Sequence, residues 1–242
     1  MQKTKIEQFL ASLRETGSYS TPPERQRAKR VRPSGWNTLR YTLGVTKVFP
    51  YCALTEPFGL LTTEKWAGAC FSSVTTAEKL GLNVIVEGFD ARQKHDGPVV
   101  YLCNHMSTTE TILLMPVLFA FGSFSYVAKA SLAHLPFLEK AAAHMHMVPV
   151  GRKSPREDLM TVLNVGTERI KGGESFLIFP QGTRQEVFSR KVFKDFGPFD
   201  PTRDIRVACG PVIPNAKSRV MHEAAFDWMA SKLDEWGLPT ER

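Results

Sequence analysis

PVVYLCNHMSTTE, residues 98–110, holds the two signals on which the reading of the fold turns. PVVYLC is a short β-branched and aromatic run of strand length. Ser107 to Glu110 then reads S-x-x-E, the capping-box pattern that opens a helix. The apolar run ILLMPVLFAFGSFSYVA (112–128) follows and is interrupted by Pro116, Gly122 and Ser123. Those breaks favour a buried helix leading into a second strand over a membrane span. Strand, helix, strand is the unit of an open α/β sheet.

Outward from this unit the alternation continues. NVIVE (83–87), FSYVA (124–128), HMVPV (146–150) and SFLIF (175–179) are further strand-length runs, most of them separated by enough chain for a crossover helix. SPRE at 154–157 supplies a serine cap, proline at the first helical position and glutamate three residues after the cap, and Gly172–Gly173 ends that helix. A last helix is expected from Ser218 to Trp236. On the amino-terminal side, Ile6, Phe9, Leu10 and Leu13 repeat at helical spacing before the polar, proline-containing stretch GSYSTPPERQRAKRVRPSG, which reads as a linker. Between Trp36 and Leu80 the pattern is mostly helical, with Trp66, Ala67, Cys70, Phe71, Val74 and Ala77 on one stripe stopped by Gly81. The expectation is an α/β fold: a mixed, largely parallel sheet flanked by helices, with an amino-terminal helical appendage. The chain divides into a basic tail with a short amphipathic helix (1–35), a helical membrane-proximal segment (36–82) and an α/β domain (83–242).

Composition bounds the function. With 242 residues, 43% hydrophobic and 23% charged, the chain is neither disordered nor fibrous. Of its formal charge of +7, five units lie in the first 33 residues, where eight Lys or Arg face three Glu. A basic segment of this kind is attracted to polyanions, an anionic membrane surface or nucleic acid. No aromatic-basic surface motif or zinc pattern supports nucleic acid. Cys52, Cys70, Cys103 and Cys209 are far apart without a C-x-x-C pair, as expected for reduced, buried thiols on the cytoplasmic side. MQKTKIEQFLASLRETG lacks the continuous apolar core of a secretory signal.

Chemistry concentrates after the strand runs, where α/β sheets place their sites. His105 follows PVVYLC directly. Glu110, five residues on, is either a helix cap or the partner of His105, and spacing alone leaves both open. FPQGTR (179–184) follows SFLIF with a Pro and Gly turn, then a hydroxyl and a guanidinium, a set suited to an oxyanion or phosphate. VPVGRKSPRE puts Arg152 after a third strand and before a helix amino terminus, and YVAK brings Lys129 to the end of a fourth.

NH-x4-E, VPVGR, FPQGTR and GPVIP (210–214) resemble, in order and spacing, the four blocks of the glycerolipid acyltransferases, the 1-acylglycerol-3-phosphate acyltransferase family. VEGFDARQKHDGPVVYLCNH and YVAKASLAHLPFLEKAAA are similar to that family too, so the likeness spans roughly residues 83 to 214. It implies acyl transfer from an acyl-coenzyme A or acyl carrier protein thioester to a hydroxyl of a lysophospholipid, without a cofactor or metal, on the cytoplasmic face of a membrane as a peripheral or monotopic protein. His105 would be the general base and Glu110 the carboxylate that orients it, with Lys129, Arg152, Gln181, Gly182, Thr183 and Arg184 binding substrate. Glu110 stands where similar proteins usually carry Asp, Gln181 where they carry Glu, and Gly151 where an acidic residue usually precedes the arginine. The alternative is an acyltransferase-like lipid-binding protein without turnover. A serine hydrolase is disfavoured because no G-x-S-x-G elbow exists. His144 and His146, read as alternating on one strand face, are weak grounds for a metal.

Overall fold

The computed structural model describes residues 4–26, 30–105, 108–133, 141–180 and 200–238. The first helix, α1 (Lys5–Thr16), opens on a capping box: the Thr4 hydroxyl accepts the Glu7 N–H and the Glu7 carboxylate accepts the Thr4 N–H. Gly17 closes it at φ 67, where a Cβ would collide with the Phe89–Asp90 backbone. Phe9 and Leu13 of α1 are fully buried in the main core. Residues 19–26 are not a linker. β1 (Tyr19–Ser20) pairs with a later strand, and Tyr19 and Thr21 are buried, with the Tyr19 hydroxyl donating to the buried Glu78 carboxylate at 2.5 Å. A two-residue strand is too short for alternation to reveal, which is why composition alone reads the stretch as loop.

Helices follow as α2 (Gly35–Val45), α3 (Val48–Thr55), α4 (Thr63–Cys70) and α5 (Ser72–Lys79). The stripe Trp66, Ala67, Cys70, Phe71, Val74 and Ala77 is buried, but it belongs to two helices separated at Phe71. The α/β region then runs β2 (Val84–Glu87), α6 (Asp90–Gln93), β3 (Val100–Leu102), α7 (Thr108–Phe119), β4 (Phe124–Lys129), α8 (Ala130–Ala133), α9 (Ala141–His144), β5 (Met147–Val150), α10 (Pro155–Lys171), β6 (Ser175–Ile178), β7 (Ile205–Ala208) and α11 (Ser218–Glu235). Ser154 caps α10 as expected.

The strands form two sheets rather than one. β1-β2-β7 is mixed, with β1 antiparallel and β7 parallel to β2, while β3-β6-β4-β5 is wholly parallel. α7 packs on α4 and α5, and α10 covers β4, β5 and β6. Pro116 lies inside α7 without ending it. Ile112, Leu113, Leu114, Met115, Val117 and Leu118 around it are buried. At about 1.5–3 kcal/mol for each large apolar side chain, that burial outweighs the roughly 3 kcal/mol of an interior proline. Among the described residues no helix is long and apolar enough to cross a membrane.

His144 and His146 do not share a strand face. His144 ends α9, and His146 lies in the left-handed region at φ 52, which keeps it out of β5. The Nδ1 of His146 meets Glu174 Oε1 at 2.5 Å and its Nε2 meets Thr63 Oγ1 at 3.1 Å, so protein groups engage both ring nitrogens.

Candidate active site

The four-stranded sheet brings distant segments to one edge. Because all four strands are parallel, their carboxyl ends align, and the pairings Leu102↔Ile178, Tyr126↔Leu177 and Lys129↔Val150 fix their levels. In the order β3, β6, β4, β5, the residues just past or at those ends are His105, Phe179–Pro180, Lys129 and Arg152. Neighbouring strands lie about 4.8 Å apart, so Lys129 stands roughly 10 Å and Arg152 roughly 14 Å across the sheet from the His105 strand. Open parallel sheets hold their ligands beyond this end of the strands.

The ladder extends one residue past β3, with the Cys103 N–H donating to the Ile178 carbonyl at 3.0 Å. The chain then turns into α7. The first turn of α7 contains Glu110, whose Oε1 lies 2.6 Å from the Nδ1 of His105. Both side chains are mostly buried, 14% and 20% exposed, so water screens the pair weakly. The His105 ring packs on Phe179, with centroids 4.7 Å apart and planes 39° apart. A carboxylate at Nδ1 favours the tautomer that carries its proton on that nitrogen. Ser107, the proposed cap, lies outside the described residues, as do Gln181, Gly182, Thr183 and Arg184.

Three neighbours complete the surroundings of the pair. Phe179 supports the imidazole from β6. Thr109, beside Glu110, accepts a hydrogen bond from the buried Tyr41 hydroxyl at 3.2 Å, which fastens α2 to the start of α7. Burial pushes the Tyr41 hydroxyl up to about 12. Cys103, two residues before His105, has its thiol pushed up to about 12 by burial, with the Glu110 charge and Cys209 adding to the effect. A thiol held that high is mostly protonated near neutral pH.

Lys129 ends β4 with its side chain exposed, and Arg152 is exposed past β5. The turn at Arg152 departs from expectation in one respect. Its main-chain amides do not offer themselves to an anion: the N–H groups of Gly151 and Arg152 donate to Asp158 Oδ1 at 2.9 Å and Oδ2 at 2.8 Å. Among the described residues no group of three or more His, Cys, Asp or Glu could hold a metal ion.

Comparison with known proteins identifies the family. The profile of the family described as Acyltransferase matches residues 83–214, from the start of β2 to the loop past β7. The chain belongs to the glycerolipid acyltransferase family. Relatives within the family include a 1-acyl-sn-glycerol-3-phosphate acyltransferase of Pseudomonas aeruginosa, 37% identical over 132 residues that make up 54% of this chain and 46% of that one. The chloroplastic 1-acyl-sn-glycerol-3-phosphate acyltransferase LPAT1 of Arabidopsis thaliana is 29% identical over 136 residues, 56% of this chain and 37% of that one. This acyltransferase-family chain thus aligns with less than half the length of either relative. Its fold is similar to that of the 1-acyl-sn-glycerophosphate acyltransferase PlsC from Thermotoga maritima, with a TM-score of 0.54 and 16% identity over 86% of this chain and 97% of that one.

Proposed function

We propose that the protein transfers an acyl group from an acyl-coenzyme A or acyl carrier protein thioester to the hydroxyl of a lysophospholipid such as 1-acylglycerol-3-phosphate. The observation that carries this reading is the 2.6 Å contact between His105 Nδ1 and Glu110 Oε1 at the carboxyl end of β3. With Nδ1 tied to a carboxylate, Nε2 takes the proton of the acceptor hydroxyl as its oxygen attacks the thioester carbonyl. Glu110 holds the ring and stabilises the imidazolium that forms. The tetrahedral intermediate then collapses, the C–S bond breaks, and the thiol leaves with the proton from Nε2. The products are the ester and a free thiol, and no acyl-enzyme is formed. Lys129 and Arg152, with Arg184 from the FPQGTR block, supply the positive charge for the acceptor phosphate.

Membrane contact is assigned to the helical segment before the α/β region. Trp36 and Leu43 on α2, Leu54 on α3, and Phe58 and Leu60 beyond it are exposed apolar side chains, interspersed with Arg40 and Lys47. Such a surface suits peripheral seating on an anionic bilayer on the cytoplasmic side. The test is purified protein with acyl-coenzyme A and acyl carrier protein donors against a panel of lysolipids, with products read by mass spectrometry. New diacyl product with stoichiometric thiol supports the reading. Lysolipid binding without product would instead make the protein an acyltransferase-like lipid binder.

A further inference from the structure

We infer that Asp158 is a positioning residue for acceptor recognition: its carboxylate clamps the Gly151–Arg152 turn and so aims the Arg152 guanidinium at the acceptor's phosphate. The inference rests on the reading of Arg152 as a phosphate contact.

Only residues 151 to 154 connect β5 to α10, so the chain must reverse tightly. Arg152 makes that reversal in the left-handed region at φ 58, one of two non-glycine residues among the described ones with positive φ. A side chain with a Cβ is not held there by local preference and needs surroundings that fix it. Asp158 provides them from the first turn of α10, where Ser154 caps the helix and the Ser154 carbonyl accepts the Asp158 N–H at 3.0 Å. With Oδ1 on Gly151 and Oδ2 on Arg152, both carboxylate oxygens are spent on main-chain donors. Among the described residues no ion pair joins Asp158 to the Arg152 side chain, so the carboxylate holds the turn without directly neutralising the guanidinium. This contact also gives the glycine at 151 a meaning. A Cβ placed there would lie 3.8 Å from Asp158 Oδ1, ordinary contact, so an acidic side chain at 151 fits sterically but would set a second carboxylate beside the first. In this chain the negative charge at the turn comes from the helix instead.

Asp158 stands beyond β5, three strand spacings or about 14 Å across the sheet from the His105 strand, so its removal should leave the chemical step alone. The test is a double-mutant cycle in the full chain, with Asp158→Ala, Arg152→Ala and the pair, and with Asp158→Asn as a milder variant that keeps one acceptor oxygen. Each is assayed with a fixed acyl donor against 1-acylglycerol-3-phosphate and, as a phosphate-free control, a monoacylglycerol. Arg152→Ala should raise KM for the phosphorylated acceptor by roughly 10- to 100-fold, the scale of a charge-assisted contact. Asp158→Ala should raise the same KM by about fivefold or more with kcat within about twofold, and should add nothing in the Arg152→Ala background. Asp158→Asn should fall between, and KM for the phosphate-free acceptor should not move. A purely structural Asp158 would lower Tm and act alike on both acceptors, which overturns the inference. A normal KM in Asp158→Ala or Asp158→Asn beside a raised one in Arg152→Ala overturns it alone, as does full multiplicativity in the pair. An unchanged KM in Arg152→Ala removes the reading of Arg152 and the inference with it.

Discussion

Glu110→Gln separates a carboxylate that serves the imidazole from one that merely opens α7. The substitution keeps the length of the side chain and its capacity to cap a helix, since capping boxes accept Gln as readily as Glu. It removes the charge opposite Nδ1 of His105, 2.6 Å away and largely buried. With charge centres about 4 Å apart and an effective dielectric constant near 20, the imidazolium–carboxylate attraction is about 4 kcal/mol. The amide dipole recovers part of it, so a loss of roughly 2.7–4 kcal/mol in the transition state is expected, or about 10² to 10³ in kcat. The amide can also donate its N–H to Nδ1 and select the wrong tautomer, which adds to the loss. The assay is release of free thiol from acyl-coenzyme A at saturating 1-acylglycerol-3-phosphate, beside a thermal melt of each variant. A kcat within about threefold of the wild type at unchanged Tm would refute the assignment of Glu110 to the imidazole.

Other consequences are equally open to measurement. His105→Ala should lower kcat by about 10² to 10⁴, the usual range for a lost general base, with Tm nearly unchanged because the residue lies at a strand end; turnover like the wild type's would remove His105 from the mechanism. Trp36, Leu54 and Phe58, at 68%, 70% and 76% exposure, should together drive association with vesicles of anionic lipid, so their joint replacement by Ser should abolish sedimentation at high salt while sparing Tm. Sedimentation unaffected by that triple replacement would place the membrane surface elsewhere. Tyr41 is protonated more tightly in the native state, its hydroxyl pushed from 10.0 to about 12 by burial. The stability it contributes is therefore fully present below pH 10 and is lost as pH rises through about 12. Tyr41→Phe should flatten the fall of Tm between those limits, and an identical fall in both proteins would contradict the burial of the hydroxyl.

Much of the fold was legible because its signals are local. β2 to β6 fall on the runs NVIVE, PVVYLC, FSYVA, HMVPV and SFLIF, and α10 starts at the cap expected of SPRE. What escaped was non-local. β1 and β7 owe their strand character to pairing with β2, and neither YS nor IRVA announces it. The helical reading of 36–80 missed the break at Phe71 because the apolar stripe continues across it. At His146 a left-handed backbone overrode apparent alternation. Asp158 reads as one more acid in a helix's first turn, and only the geometry of the preceding turn gives it a partner.

The site follows the same division between local and lateral information. The sequence shows that His105, Lys129, Arg152 and the FPQGTR block each come at or just after a strand. It does not show which strands are neighbours. Chain order is β3, β4, β5, β6, but β6 is inserted between β3 and β4, a consequence of the α10 crossover returning past β4. That insertion decides the chemistry at the edge. It puts Phe179 against the His105 ring and starts the FPQGTR block beside that ring, while it moves Lys129 and Arg152 outward by one strand spacing each. Had β4 paired with β3 directly, Lys129 would stand about 4.8 Å from the His105 strand. An ammonium nearer His105 would disfavour its protonated form, an effect that the exposure of Lys129 to water moderates. Among the described residues, the observed order sets Lys129 and Arg152 two and three strand spacings from the His105 strand, while the Glu110 carboxylate lies 2.6 Å from Nδ1 of His105.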